Sequence, residues 1–172
     1  MHASPDAAMK ELTNRVLSTL APMGFKKRGN TARLVKGDNV ALVSFQRSQD
    51  STREKVKFTV NLAIVFGKLL DPDSASLANM RDVDGHLRQR IGSFMEGSPD
   101  KWWIVDELAD LNEITTEVSN LLVEKVAPFL IRYIRPDEII SLWKSGQSPG
   151  LTDRARIRNL ANMVEYYSNT DS

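Results

Sequence analysis

The stretch that decides the fold is VKFTVNLAIVF, residues Val56–Phe66, in which an apolar side chain recurs at every second position. The residues that share this first face are Val56, Phe58, Val60, Leu62, Ile64 and Phe66. The other face begins with Lys57, Thr59 and Asn61 and ends with Ala63 and Val65. Because successive side chains of a strand point to opposite faces, this pattern predicts a strand that is covered on one face throughout and on both faces in its second half.

The segments before this strand predict two more strands joined by short turns. Residues 39–46 form a second apolar run, and the turn residues at 36–39 make residues 25–35 the first arm of a hairpin. The polar stretch 48–53 then leads into the strand described above. Neighbours joined by short turns are antiparallel, since parallel strands need long crossovers. We therefore expect a central antiparallel meander.

Two shorter segments extend the predicted sheet. Residues 86–95 and 101–105 read as strands, and residues 96–100 between them contain turn-forming glycine and proline. This spacing favours a second hairpin, which brings the sheet to about four to five strands. The preceding segment, 71–85, is polar and contains proline and glycine, so we interpret it as a loop.

Amphipathic helices are expected before and after the strand-rich segment of the sequence. A serine before a proline predicts a helix over 5–21, and Pro128 is expected to kink or split a long later helix. The start signals of the four predicted helices are Ser4, Asp110, Pro136 and Thr152. The apolar stripe of the last helix is expected at Ile157, Leu160, Val164 and Tyr167. Residues 1–172 thus read as a single α+β domain, an antiparallel sheet packed against amphipathic helices, with 24–105 mainly β and 110–168 mainly helical.

Composition excludes several classes of chemistry. The chain of 172 residues has no cysteine, which excludes disulfides and thiolate sites and suits a reducing cytoplasm. We find no signal-peptide pattern, and the longest apolar run, 62–66, is far too short to cross a membrane. Among the two histidines, His86 follows two aspartates in what we interpret as a polar turn. No known catalytic or phosphate-loop motif is present, so we assign no catalytic residue, metal or cofactor.

Positive charge is concentrated in the predicted sheet. The segment 26–57 contains nine basic and three acidic residues, although the net charge of the whole chain is only +1. The basic residues that we single out are Lys26, Lys27, Arg28, Arg33, Lys55 and Lys57. Such a face is one way of binding nucleic acid, but the pI of 8.0 and the scarcity of exposed aromatic residues in this segment weaken that interpretation.

A second set of residues combines polar groups with tryptophans. Trp102 and Trp103 are adjacent, and on a strand their rings point to opposite faces, so that one enters the core and the other remains on the open face. The candidate binding residues are Gln46, Arg47, Asn61, Arg90, Trp102 and Trp103. The alternative is a solvated sheet face and two packing tryptophans, since antiparallel sheets often keep one wet face.

The ordered motifs in this region resemble a known family. They are GFKKRGNT at 24–31, VSFQRS at 43–48, FTVNL at 58–62, RIG at 90–92 and KWW at 101–103. Together they are similar to the bacterial domain-of-unknown-function family 4304, over roughly residues 8–135. Ala63 stands where that family usually has glycine. The resemblance implies an α+β bacterial protein and gives weight to the candidate binding residues, but it implies no activity.

Three functions remain open from the sequence. The leading hypothesis is a non-catalytic binding or interaction module whose partner is another protein or a small ligand, because no catalytic constellation is present. The first alternative is a nucleic-acid-binding protein that uses the basic face over 26–57. The second is an enzyme with a carboxylate or metal-assisted site.

Overall fold

In the computed structural model, which describes residues 3–168, the centre of the fold is a six-stranded antiparallel sheet. The strands are β1 (Lys26–Arg28), β2 (Thr31–Lys36), β3 (Asn39–Arg47), β4 (Val56–Phe66), β5 (Leu87–Arg90) and β6 (Trp103–Val105). β1 to β5 follow one another in spatial order, and β6 also pairs with β4. The predicted α+β architecture and its antiparallel meander are confirmed, and the first arm of the meander consists of two strands separated by a tight turn.

The prediction that residues 86–95 and 101–105 form a second hairpin is wrong. β5 pairs with residues 61–64 of β4, and β6 pairs with residues 56–58 of the same strand. β4 is eleven residues long, so its free edge accommodates two short strands end to end. The chain leaves that edge through a 3₁₀ turn, Ile91–Phe94, which explains why the two segments do not pair with each other.

Five α-helices are described, and four of them begin at the start signals that the sequence predicts. The helices are α1 (Pro5–Ser18), α2 (Leu111–Leu121), α3 (Ala127–Tyr133), α4 (Pro136–Lys144) and α5 (Asp153–Ser168). The Ser4 side chain accepts a hydrogen bond from the N–H of Ala7, and the Asp110 carboxylate accepts one from Glu113. No helix within residues 3–168 is long and apolar enough to span a membrane.

The predicted interruption at Pro128 takes the form of a π turn. Leu122–Val126 is π-helical and joins α2 to α3 without a break in the helical segment. A proline ring clashes with the carbonyl of the residue four positions earlier in a regular α-helix, and proline has no N–H to donate. The wider turn directly before Pro128 changes that hydrogen-bonding pattern, so the segment continues past the proline.

The two faces of the sheet are covered by different parts of the chain. The face that carries the even-numbered residues of β4 packs with the helices in the main core, in which Phe58 and Phe66 are fully buried. On the other face, Met80 of the loop between β4 and β5 packs on Ala63 and Val65. That loop covers only one end of this face. The row of Thr31, Ser44, Asn61 and Arg90 lies beyond it on what we call the open face.

The stripe predicted for the last helix is only partly correct. Ile157 and Val164 are exposed, whereas Asn159 and Met163 are the buried residues of α5. The Arg156 guanidinium donates a 2.8 Å hydrogen bond to a main-chain oxygen at the end of α4, on the inner side of α5. The helix therefore docks through a mixed polar and apolar face that apolar periodicity does not identify.

Candidate functional site

The open face of the sheet contains a cleft of about 920 Å³. Its floor is a row of residues that lie directly opposite one another on successive strands: Thr31, Ser44, Asn61 and Arg90. One wall is the segment of Arg81, Asp82 and Val83, which precedes β5. A cross-strand row on an uncovered face presents its side chains side by side, so the cleft displays a hydroxyl pair, an amide and a guanidinium together.

The floor is internally hydrogen-bonded. The Asn61 side-chain amide donates to Gln46 Oε1 at 2.8 Å and to Asp82 Oδ2 at 3.2 Å. The hydroxyls of Thr31 and Ser44 lie 3.1 Å apart and share a hydrogen bond. These contacts place Gln46 and Asn61, both candidate binding residues of the sequence, at the centre of the cleft. They also hold the Asp82 carboxylate over the middle of the floor.

Four arginines line the cleft from positions on the open face or on the wall. They are Arg33 on β2, Arg81 on the wall, and Arg88 and Arg90 on β5. Asp82 is the one carboxylate among the described lining residues. Guanidinium groups have a planar fork of donors that fits carboxylate and phosphate oxygens. The lining is therefore suited to an anion.

The arginines of the cleft differ in what already engages them. Arg90 donates to Asp100 at 2.9 Å, and Arg33 donates to the Met80 carbonyl at 3.2 Å. The Arg33 Nε atom is buried without a partner in the described part of the chain, and burial, followed by the charge of Arg28, lowers the Arg33 pKa. Within residues 3–168, the guanidinium groups of Arg81 and Arg88 form no ion pair.

Arg47 lies at one end of the cleft but is directed elsewhere. It is opposite Phe58 in the pairing of β3 with β4, which places its side chain on the helix-covered face. There its guanidinium forms an ion pair with Asp6 of α1. The structure therefore separates Arg47 from the other polar candidates, because it is the last residue of β3 and its neighbour Gln46 occupies the open face.

The two adjacent tryptophans have opposite environments, as the alternation of a strand predicts. Trp103 is 4% exposed, stacks on Phe58 with 5.5 Å between ring centroids, and donates from Nε1 to Glu117 at 3.0 Å. It lies in the core and not in the cleft. Trp102 is half-buried on the open face beside the cleft, where its ring centroid lies 5.2 Å from the Arg90 guanidinium carbon.

Trp102 contacts the cleft through Arg90. Its Nε1 donates to Asp100 Oδ2 at 3.2 Å, while the other oxygen of Asp100 accepts from Arg90. The hydrogen bonds from Trp102 and then from Arg90 lower the pKa of the Asp100 carboxyl group. The ring and the carboxylate together hold Arg90 at the rim in one orientation. Trp102 is thus a positioning residue for an arginine of the cleft.

The basic residues of the sequence do not form one patch. Lys26, Arg28 and Arg33 share the open face at the β1–β2 edge, and Lys27 points to the opposite face. The Arg28 guanidinium donates to the Ala78 carbonyl of the loop over the sheet. Lys55 and Lys57 lie at the start of β4, three strands away from β1 in the sheet. The 26–57 segment therefore does not present its charges as a continuous face.

Some residues of the cleft were missed by sequence reasoning. Arg81 and Asp82 belong to a segment interpreted as a loop, and no local pattern shows that this loop folds over the sheet. Arg88 carries a signal, since it is two residues from Arg90 on a strand and must share its face. Thr31 and Ser44 become neighbours only through the register of β2 with β3.

Within residues 3–168, the histidine and the acidic residues other than Asp82 do not line the cleft. His86 is half-buried beside the end of β4, where its Nδ1 accepts a hydrogen bond from the Phe66 N–H at 3.0 Å. His2 lies outside the described residues. Residues 3–168 contain no cluster of three or more histidine, aspartate and glutamate side chains that could hold a metal ion.

The fold and the cleft define an α+β protein with helices on one face of an antiparallel sheet and an arginine-lined site on the other. The chain belongs to the family described as Domain of unknown function (DUF4304), whose model matches residues 16–132. This match covers the whole sheet, the end of α1, all of α2 and all but the last residue of α3, and it confirms the resemblance found in the sequence. No curated protein and no solved structure gives a significant match to the chain.

Proposed function

We propose that this protein is a non-catalytic binding module and that the cleft on the open face binds a small anionic ligand. The observation that carries the proposal is the combination of Arg81 and Arg88, both without an ion-pair partner in residues 3–168, with a floor of hydrogen-bonding groups. Arginines that line a cleft without matching acids attract and orient carboxylate or phosphate groups.

The lining supports a small ligand better than nucleic acid. Proteins that bind single strands stack bases on exposed aromatic rings. Among the described lining residues the one aromatic is Phe45, whose ring is buried on the helix-covered face. Trp102 lies beside the cleft with Arg90 and Lys57 against its ring, so that surface is already occupied. A single lining carboxylate, Asp82, also gives little support to a two-carboxylate enzyme.

The test is a binding measurement with simple anions. Calorimetry with sulfate, phosphate and succinate at constant ionic strength and neutral pH is expected to detect binding by the wild-type protein. The double variant Arg81→Ala/Arg88→Ala is expected to lose at least about tenfold in affinity, because hydrogen bonds to charged groups each contribute about 1.5–3 kcal/mol.

The matched control is Arg53→Ala, which removes one arginine from an exposed turn that does not line the cleft. This variant is expected to bind anions as the wild type does. Equal binding by the double variant and the wild type, or an equal loss in the control, would show that the arginines of the cleft are not the site.

A further inference from the structure

Three of the four arginines that line the cleft from the open face and the wall lie at its two sides, and the fourth, Arg81, lies on the wall next to Asp82. Arg33 lies on β2, and Arg88 and Arg90 lie on β5. The residues between β2 and β5 carry no charge: Ser44 and Asn61 lie in the row that ends at Arg90, and Leu42 and Ala63 lie directly between Arg33 and Arg88. Three inter-strand spacings separate β2 from β5, which is about 14 Å between their main chains. The guanidinium groups therefore approach a ligand from opposite ends.

The centre of the cleft disfavours negative charge. Asp82 is held over the middle of the floor by the 3.2 Å hydrogen bond from Asn61. A carboxylate at this place repels an anionic group and accepts hydrogen bonds from a hydroxyl or an ammonium group. A ligand that satisfies the whole cleft thus has its negative charges at its ends and a neutral or donor-bearing middle.

The charge balance of the described residues around the cleft indicates how many negative charges the ligand carries. Arg33, Arg81, Arg88 and Arg90 contribute four positive charges to the lining, and the charge of the fifth lining arginine, Arg47, is balanced by Asp6. Asp82 in the cleft and Asp100, which is paired with Arg90, contribute two negative charges. The cleft is left with an excess of two positive charges, which a ligand with two negative charges neutralises.

We propose that the ligand is a small linear dianion with one carboxylate at each end. This inference rests on the proposed anion-binding function and adds the number and spacing of the charges. In the bound state, one anionic group contacts Arg33 and the other contacts Arg88 and Arg90. The middle of the ligand lies on Asn61 beneath Asp82.

The experiment is a calorimetric comparison of anions on the full chain at equal ionic strength. Acetate has one charge, sulfate has two charges on one group, and malonate, succinate, glutarate and adipate have two charges at increasing separation. At least one of the longer dicarboxylates is expected to bind at least about tenfold more tightly than acetate and sulfate. One additional charge-assisted contact is sufficient for a difference of this size.

Asp82→Asn tests the role of the central carboxylate, and its amide oxygen can still accept the hydrogen bond from Asn61. This variant is expected to bind sulfate up to about fivefold more tightly, because the repulsion between the Asp82 carboxylate and the anion is removed. A change of this size corresponds to one exposed charge–charge interaction. Sulfate binding that equals the best dicarboxylate in the wild type would overturn the two-ended ligand while leaving anion binding intact. Absence of binding for every anion in the panel would instead refute the proposed function itself.

Discussion

Acid should destabilise this protein through one identifiable side chain, His86. Burial, followed by the positive charge of Arg158, lowers the pKa of His86 from 6.5 to about 4. The geometry agrees with a neutral ring, because Nδ1 accepts the Phe66 N–H and a proton on that nitrogen would face another donor. Folding therefore favours the form of His86 that has no proton on Nδ1.

The sign of the pH dependence follows from this lowered pKa. Below about pH 6.5 the unfolded chain binds a proton at His86 that the folded protein does not bind until about pH 4. The stability contributed by the neutral ring is complete above about pH 6.5 and decreases as the pH falls through this window. The total amounts to about 3.4 kcal/mol, of which about 2 kcal/mol is lost by pH 5.

The assay is urea unfolding, followed by tryptophan fluorescence, of the wild type and of His86→Asn at about pH 7.5 and about pH 5. Asparagine places an oxygen acceptor where Nδ1 lies but does not titrate. Carboxyl groups titrate in both proteins, so their contribution cancels in the comparison. We expect the wild type to lose about 2 kcal/mol more than the variant between the two pH values. Equal losses would refute the assignment of acid sensitivity to His86.

Three further changes test other contacts. Gly150→Ala places a Cβ 1.5 Å from a main-chain oxygen of β5 at a positive φ, so we expect a loss of about 2 kcal/mol or more in urea unfolding. Gly146→Ala, which has positive φ but open space, should lose less. Trp102→Leu should weaken anion binding about threefold in calorimetry, because Arg90 loses its aromatic support; an unchanged affinity would contradict that role. Asn39→Ala removes one buried hydrogen bond to Ile134 at the end of α3 and one partly buried hydrogen bond to the turn after β4, and should cost about 2–3 kcal/mol. An unfolding free energy within about 0.5 kcal/mol of the wild type would show that these bonds are not needed.

Much of the fold follows from local patterns. β4 has the bounds that its alternation predicts, and the caps at Ser4 and Asp110 lie where the sequence places them. The opposite environments of Trp102 and Trp103 follow from the same two-residue period. These features depend on interactions between residues a few positions apart, so a short stretch of sequence is enough to predict them.

The candidate site was predictable only in part. Gln46, Asn61 and Arg90 were identified from the sequence, and the structure brings them to one cleft. Their neighbours on the wall, Arg81 and Asp82, were not identified. The position of that wall depends on Met80 packing on Ala63 and Val65 on the same face of the sheet, and a loop without periodicity gives no sign of such a contact.

Tertiary structure alone decided which segments share an edge and which face of a helix is buried. β5 and β6 could have paired with each other, but both gain a partner on the free edge of β4, which is long enough for the two of them. The buried face of α5 is likewise set by what α4 presents to Arg156. Periodicity determines that a segment is a strand or a helix, because its causes are local. Pairing, docking and the cleft are determined by competition among distant segments, which no single stretch of sequence contains.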